Sequence, residues 1–318
     1  MPARRRLGKK FLKSLLPILL LLAVALVVAL AFTVYGVTRP PRREYLVRPQ
    51  TFSQLSGPIS RVTEETWRNR DKTPARGWLL RGAEGAPAVV LSHGYGADRS
   101  WLLNLGVKIN ESTNFTILWP DLRGHGMKPP VAWTTFGARE GDDTLGALDY
   151  LRSLKAPSGK RLLGDRVGLY GIELGAYASL HAANQDQTVR VLVLDSVPRD
   201  PDELIGALVK EDLGMGLRPV LYLTRLAVRV YFFGKYQSSP ACGLAASLQS
   251  PRVLLLSGPD AGYLRDSTMA LARCFSDQSK VEIKLDLPLT GLRLPSATGE
   301  QGEEYDRQVI DFFDRSLR

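Results

Sequence analysis

The stretch VGLYGIELGAYASL, Val167 to Leu180, runs from an apolar strand into a helix through a glycine-flanked turn. Its first six residues are short and almost wholly apolar, as a strand buried on both faces must be. Gly171, Gly175 and Ala176 supply the small residues that a tight strand-to-helix turn requires. At the middle of the turn stands Glu173. A carboxylate in that position is what any functional reading has to explain.

Similar runs lie on both sides. APAVVLSHG and NFTILWPDLRGHG precede the turn; VRVLVLDS, PRVLLLSG and KVEIKLDL follow it. SRVTEETW and RGWLLRG read as an antiparallel pair that opens the sheet. Between these runs, EGDDTLGALDYLRSL places Leu145, Leu148, Leu151 and Leu154 on one helical face, and AYASLHAANQ, STMALARCF and EYDRQVIDFFDRSL read as further helices. Alternation of this kind predicts an α/β fold with a mostly parallel central sheet and helices on both faces. Chemistry in such sheets sits at the C-terminal ends of the strands.

The rhythm breaks over about residues 199–249, which read as a small lid insert. Within it RPVLYLTRLAVRVYFFGKY is apolar apart from Arg225 and Arg229, one helical turn apart. Two readings stand open: a helix packed on the domain with both arginines in water, or a lid that lines a pocket or rests on a bilayer.

Charge sorts the chain into parts. Of the net +10, residues 1–48 carry +9, so the remainder is nearly neutral and nucleic-acid binding loses its electrostatic support. Residues 1–13 form a basic segment. No charged side chain occurs between Lys13 and Arg39, and residues 14–38 are long enough to cross a hydrocarbon core of about 30 Å as one helix. The larger basic cluster precedes this helix, which favours a single-pass signal anchor with a cytoplasmic N-terminus and an exported domain. A cleaved signal peptide is the competing reading, with Ala29-Leu30-Ala31 as its site. Residues 39–57 read as a tether and 58–318 as the folded domain. Cys242 and Cys274 are the only cysteines; they pair if the domain is exported, or stay as two buried thiols.

Four segments, in order, make the chain resemble the α/β-hydrolase superfamily, in particular its serine aminopeptidase and lysophospholipase-like branch. LSHGYGADRS is similar to the His-Gly segment after the third strand. DLRGHGMKPP is similar to the turn after the fourth, and FGAREGDDTLGALDYL to the helix that follows, with Glu140 and Asp143 at familiar places. GIELG occupies the slot of the G-x-S-x-G nucleophile elbow. The resemblance covers about residues 58–316. It implies oxyanion donors at the N–H groups of Tyr95 and Leu174, an acid at Asp260, and a histidine in the loop after the last strand. It also implies structural roles for Asp121 and His125 in the turn after the fourth strand.

This sequence departs from that pattern twice. The nucleophile position holds Glu173, and the final loop contains no histidine; counting back from Glu303-Glu304-Tyr305 puts Leu294, or Arg293, in its slot. His93 and Arg293 remain as candidate ligand-site residues. The expectation is a membrane-anchored, hydrolase-like binding or scaffold protein whose Glu173 satisfies the oxyanion donors, with Arg293 as a counter-charge and a small molecule or lipid as ligand. Any protein partner is unspecified. The alternative is an atypical hydrolase of an ester, amide or lipid that uses Glu173 as base or nucleophile. No phosphate loop, dinucleotide fingerprint or metal-ligand spacing occurs, so neither cofactor nor metal is expected.

Overall fold

The computed structural model describes residues 3–49, 62–214, 216–236, 238–249, 251–296 and 299–318. The start of the domain expected at residue 58, the second part of the tether and residues 60 and 61 lie outside them. Eight strands form one sheet: β1 Thr63–Arg68, β2 Pro74–Leu80, β3 Ala88–Ser92, β4 Thr116–Pro120, β5 Val167–Ile172, β6 Val189–Asp195, β7 Arg252–Leu256 and β8 Val281–Lys284. Their spatial order is β1-β2-β4-β3-β5-β6-β7-β8. β1 and β2 pair antiparallel, as do β2 and β4; every pair from β4 to β8 is parallel.

Strand composition accounts for this order. β3, β4 and β5 are buried at every position, because helices cover both faces of the centre. The edge strand β1, TEETWR, has no fully buried residue. Alternate residues enter two separate cores. Val90, Leu169 and Leu192 pack with Leu145, Leu148 and Leu151 of α3 (Ala138–Ser153) and Leu180 of α4 (Leu174–Gln185). Val89, Leu91, Tyr170 and Val193 pack with Val107 and Ile109 of α2 (Leu103–Thr113) and Phe312 and Phe313 of α9 (Gly299–Leu317).

The chain divides into two compact units, one of them Thr38–Leu204 with Gln237–Arg318, which holds the sheet. The other comprises the N-terminal helix and Ile205–Tyr236. That helix, α1, spans Ala3–Thr38, and its segment Leu15–Thr38 has 24 residues, within which an 18-residue stretch has mean hydropathy 3.1. Such a helix is about 36 Å long and suits a membrane anchor or a signal segment. The insert contains α5 (Pro201–Leu213), α6 (Arg218–Tyr231) and α7 (Ala241–Ala246). On α6, Thr224 and Val228 are buried while Tyr222, Leu226 and Val230 are exposed. Arg229 is exposed but Arg225 is half-buried, with Nη2 only 2.8 Å from where a Cβ on Gly206 would lie. The reading that puts both arginines in water thus holds for one of them.

Cys242 in α7 and Cys274, just past α8 (Tyr263–Ala272), form a disulfide. Two separate thiols are thereby excluded. The bridge spans 32 positions of sequence, and loop-closure entropy of that size is worth about 3–4 kcal/mol. A Cys242→Ser, Cys274→Ser double variant is expected to lose stability of that order in urea denaturation.

Candidate active site

The turn after β5 changes from strand to helix within one residue. Glu173 N–H still donates across the sheet to Asp195 O at 2.9 Å, and Glu173 O already accepts from Tyr177 N–H at 3.0 Å to start α4. The consequence is a backbone at φ 50°, ψ −108°. A non-glycine residue there stores strain of about 1–3 kcal/mol. The flanking glycines are required by contact distance. A Cβ on Gly171 would lie 2.2 Å from Gly175 O, and one on Gly175 would lie 2.3 Å from Ser92 O.

Glu173 points its carboxylate back to the loop after β3. Tyr95 N–H donates to Glu173 Oε2 at 2.9 Å. The structure therefore brings together two of the residues singled out from sequence, Glu173 and the expected donor Tyr95. Leu174, the other expected donor, is buried at the first position of α4.

The acids at the strand ends are engaged elsewhere. Asp260 Oδ2, after β7, accepts from Thr290 N–H at 3.2 Å and Thr290 Oγ1–H at 2.9 Å. Asp195, the last residue of β6, is fully buried and accepts from Gly291 N–H at 2.6 Å, Ser196 Oγ–H at 2.6 Å and the Tyr305 hydroxyl. Burial pushes its carboxyl up to about 6, against the pull of these donors. Two carboxylates thus hold consecutive residues, Thr290 and Gly291, of the loop after β8. Asp195 is the site residue that sequence reasoning missed; its signal is an acid closing a wholly apolar strand, VRVLVLD.

That anchoring decides what faces the elbow. Leu292 Cδ2 and Glu173 Oε2 lie 3.6 and 3.2 Å from the position a Cβ on Gly94 would take. Leu292, two positions before Leu294, is therefore the loop residue that shares this point with the carboxylate. Leu294 lines a cavity of about 500 Å³ together with Trp101 and Lys108, and Arg293 is exposed in the turn Gly291–Ser296. Glu173 is absent from the wall of that cavity and from the wall of a 320 Å³ cavity beside Trp78.

His93 is fully buried, with both ring nitrogens occupied: Nδ1 lies 2.8 Å from Gly94 O, and Nε2 lies 3.2 Å from Leu122 N. A carbonyl and an N–H as partners assign the Nδ1–H tautomer. Burial holds His93 neutral, below the usual imidazole range. His125 packs edge-on against it at 5.0 Å, is bonded to Arg123 O through Nδ1, and is pushed down to about 3 by burial, with His93 adding to the shift. Asp121 accepts from Arg76 and Tyr45, and Asp143 pairs with Arg123. These residues brace the turn after β4, the structural role the resemblance implies. Among the described residues, no three of His, Cys, Asp and Glu gather where they can hold a metal ion.

Against known proteins, no family model and no curated protein matches this sequence. Solved structures do match. An esterase of Pyrococcus furiosus, Pf2001, superposes with a TM-score of 0.66 at 18% identity, covering 89% of this chain and 99% of its own. The chain has the α/β-hydrolase fold. The α/β-hydrolase GrgF from Penicillium sp. sh18 gives 0.60 at 17% identity over 80% of this chain and 99% of its own. The acylaminoacyl peptidase of Pyrococcus horikoshii gives 0.57 at 15% identity over 86% of this chain and 44% of its own. The turn after β5 presents the Glu173 carboxylate to Tyr95 N–H.

Proposed function

We propose that this chain is a membrane-anchored α/β-hydrolase-like protein that binds a ligand or partner without hydrolysing it. The observation that carries this reading is the 2.9 Å contact from Tyr95 N–H to Glu173 Oε2. An oxyanion hole works because its donors wait for charge that develops in the transition state. A permanent carboxylate on such a donor takes that place in the ground state. Hydrolysis through Glu173 needs a group that relays protons. His93 and His125 are committed to the fold, Leu292 borders the elbow, and His181 lies on α4 near Gln185.

The domain is assigned to the exported side, with a small molecule or lipid as the ligand class. The Cys242–Cys274 bridge supports this placement, since such bonds persist in oxidising compartments. So does the larger basic cluster ahead of the apolar helix. The test is an assay of the detergent-purified full chain on short- and long-chain acyl esters and aminoacyl amides, beside Glu173→Ala. No turnover above buffer in either protein is expected. Wild-type turnover that disappears in Glu173→Ala would instead establish an atypical hydrolase.

A further inference from the structure

A second polar centre lies away from the elbow, where residues 45–49 of the tether meet β1, β2 and the turn after β4. It is a cavity of about 320 Å³ with Arg48, Arg76, Arg99 and Lys128 in its wall. Two acids answer these four cations. Glu64 accepts from Arg99 Nη2 at 2.7 Å. Asp121, behind the wall, accepts from Arg76 Nε at 3.1 Å and lies 3.6 Å from Arg99 Nε. The cluster keeps a net charge of +2.

The arginines are held but not satisfied. The Arg99 guanidinium sits 4.5 Å from the ring centre of Trp78 and 4.9 Å from that of Tyr45, contacts that fix its plane, and its Nη2 also donates to the Tyr45 hydroxyl at 3.0 Å. Arg99 Nε and Nη1 and Arg76 Nη2 are buried and have no hydrogen-bond partner among the described residues. Unmet buried donors are costly, more so when charged. At the rim, Arg48 meets, among the described residues, the weak acceptor Met127 Sδ at 3.9 Å, and Lys128 is exposed.

We propose that this cavity binds a phosphate group carried on a small polar molecule or headgroup. A doubly charged tetrahedral anion neutralises the excess of +2, and its oxygens match guanidinium forks and an ammonium better than a single carboxylate does. The volume lies at the low end for small-molecule sites, enough for a phosphomonoester with a substituent the size of glycerol. Phosphate reaches such a site from an anionic lipid or from a soluble phosphomonoester. The wall begins at Tyr45, seven residues past the end of the apolar helix at Thr38. The site is independent of Glu173 and of any hydrolysis.

The experiment measures glycerol 3-phosphate binding by calorimetry to the full chain in phosphatidylcholine nanodiscs. Saturable binding is expected, weakened at least tenfold in Arg48→Ser, Lys128→Ser, whose rim positions leave the fold intact. A charge-matched control, Arg42→Ser, Arg43→Ser, alters the tether outside the cavity and is expected to keep wild-type affinity. Adding 10 mol% phosphatidic acid to the nanodiscs separates the sources: loss of glycerol 3-phosphate binding assigns a lipid headgroup, and retention assigns a soluble phosphomonoester. Absence of saturable binding, or an equal loss in the rim and control variants, would overturn the proposal.

Discussion

Glu173→Ala is expected to lower the stability of the domain by about 1.5–3 kcal/mol, the usual worth of a hydrogen bond to a charged group. Alanine keeps the same backbone penalty at φ 50°, so strain cancels and the difference reports the carboxylate. Glu173→Gln retains an acceptor for Tyr95 N–H without the charge, and its loss is expected to be roughly half as large. The sign is what matters. Working active sites are commonly strained or electrostatically costly, so replacing their reactive groups tends to stabilise the protein. If the carboxylate completes the oxyanion loop, replacement destabilises. Chemical denaturation of the three proteins at pH 7 settles it: a gain in Glu173→Ala would place Glu173 among reactive groups.

The second large effect is a loss of stability in mild acid that belongs to His125. Its native pKa is pushed down to about 3 by burial, against an ordinary value of about 6.5. The unfolded chain therefore takes up a proton that the native state refuses, and stability is lost as pH falls below 6.5. At pH 5 this amounts to about 2 kcal/mol. His93, also held neutral by burial, acts with the same sign. Asp195, raised to about 6, opposes them: its native form binds the proton first, and stability is regained as pH falls from 6 toward 4. His125→Asn keeps a donor for Arg123 O but has no imidazole. Its loss between pH 7 and pH 5 is expected to be about 2 kcal/mol smaller than that of wild type. Asp195→Asn is expected to show a loss about 1.3 kcal/mol larger. Equal slopes in wild type and His125→Asn would contradict a buried, neutral His125.

The sheet was readable because its signals are local. Strands β3 to β7 are short apolar runs that end at glycine or acid, and the elbow glycines are demanded by backbone contacts of 2.2 to 2.3 Å. The loop after β8 was not, because its course depends on contacts across the sheet ends. Counting back from Glu303 selects Leu294, but the bonds from Thr290 to Asp260 and from Gly291 to Asp195 set the register. Leu292 Cδ2 lies 3.6 Å, and Glu173 Oε2 3.2 Å, from the point a Cβ on Gly94 would take. Asp195 went unnoticed for the same reason: nothing in VRVLVLDS says what its last acid will meet 96 residues later. The disulfide likewise joins α7 to the turn just past α8, whose adjacency no local pattern encodes. On α6 the sequence shows two arginines one turn apart, whereas burial separates them into one half-covered and one exposed.

The contact between Tyr95 N–H and the Glu173 carboxylate can be observed directly in the amide spectrum of the ¹⁵N-labelled full chain in detergent. The account predicts a Tyr95 amide proton shifted downfield by the carboxylate, moving upfield in Glu173→Gln, and unmoved in wild type by a methylphosphonate ester that mimics an oxyanion. A Tyr95 resonance indifferent to Glu173→Gln, or displaced in wild type by the phosphonate, would contradict it.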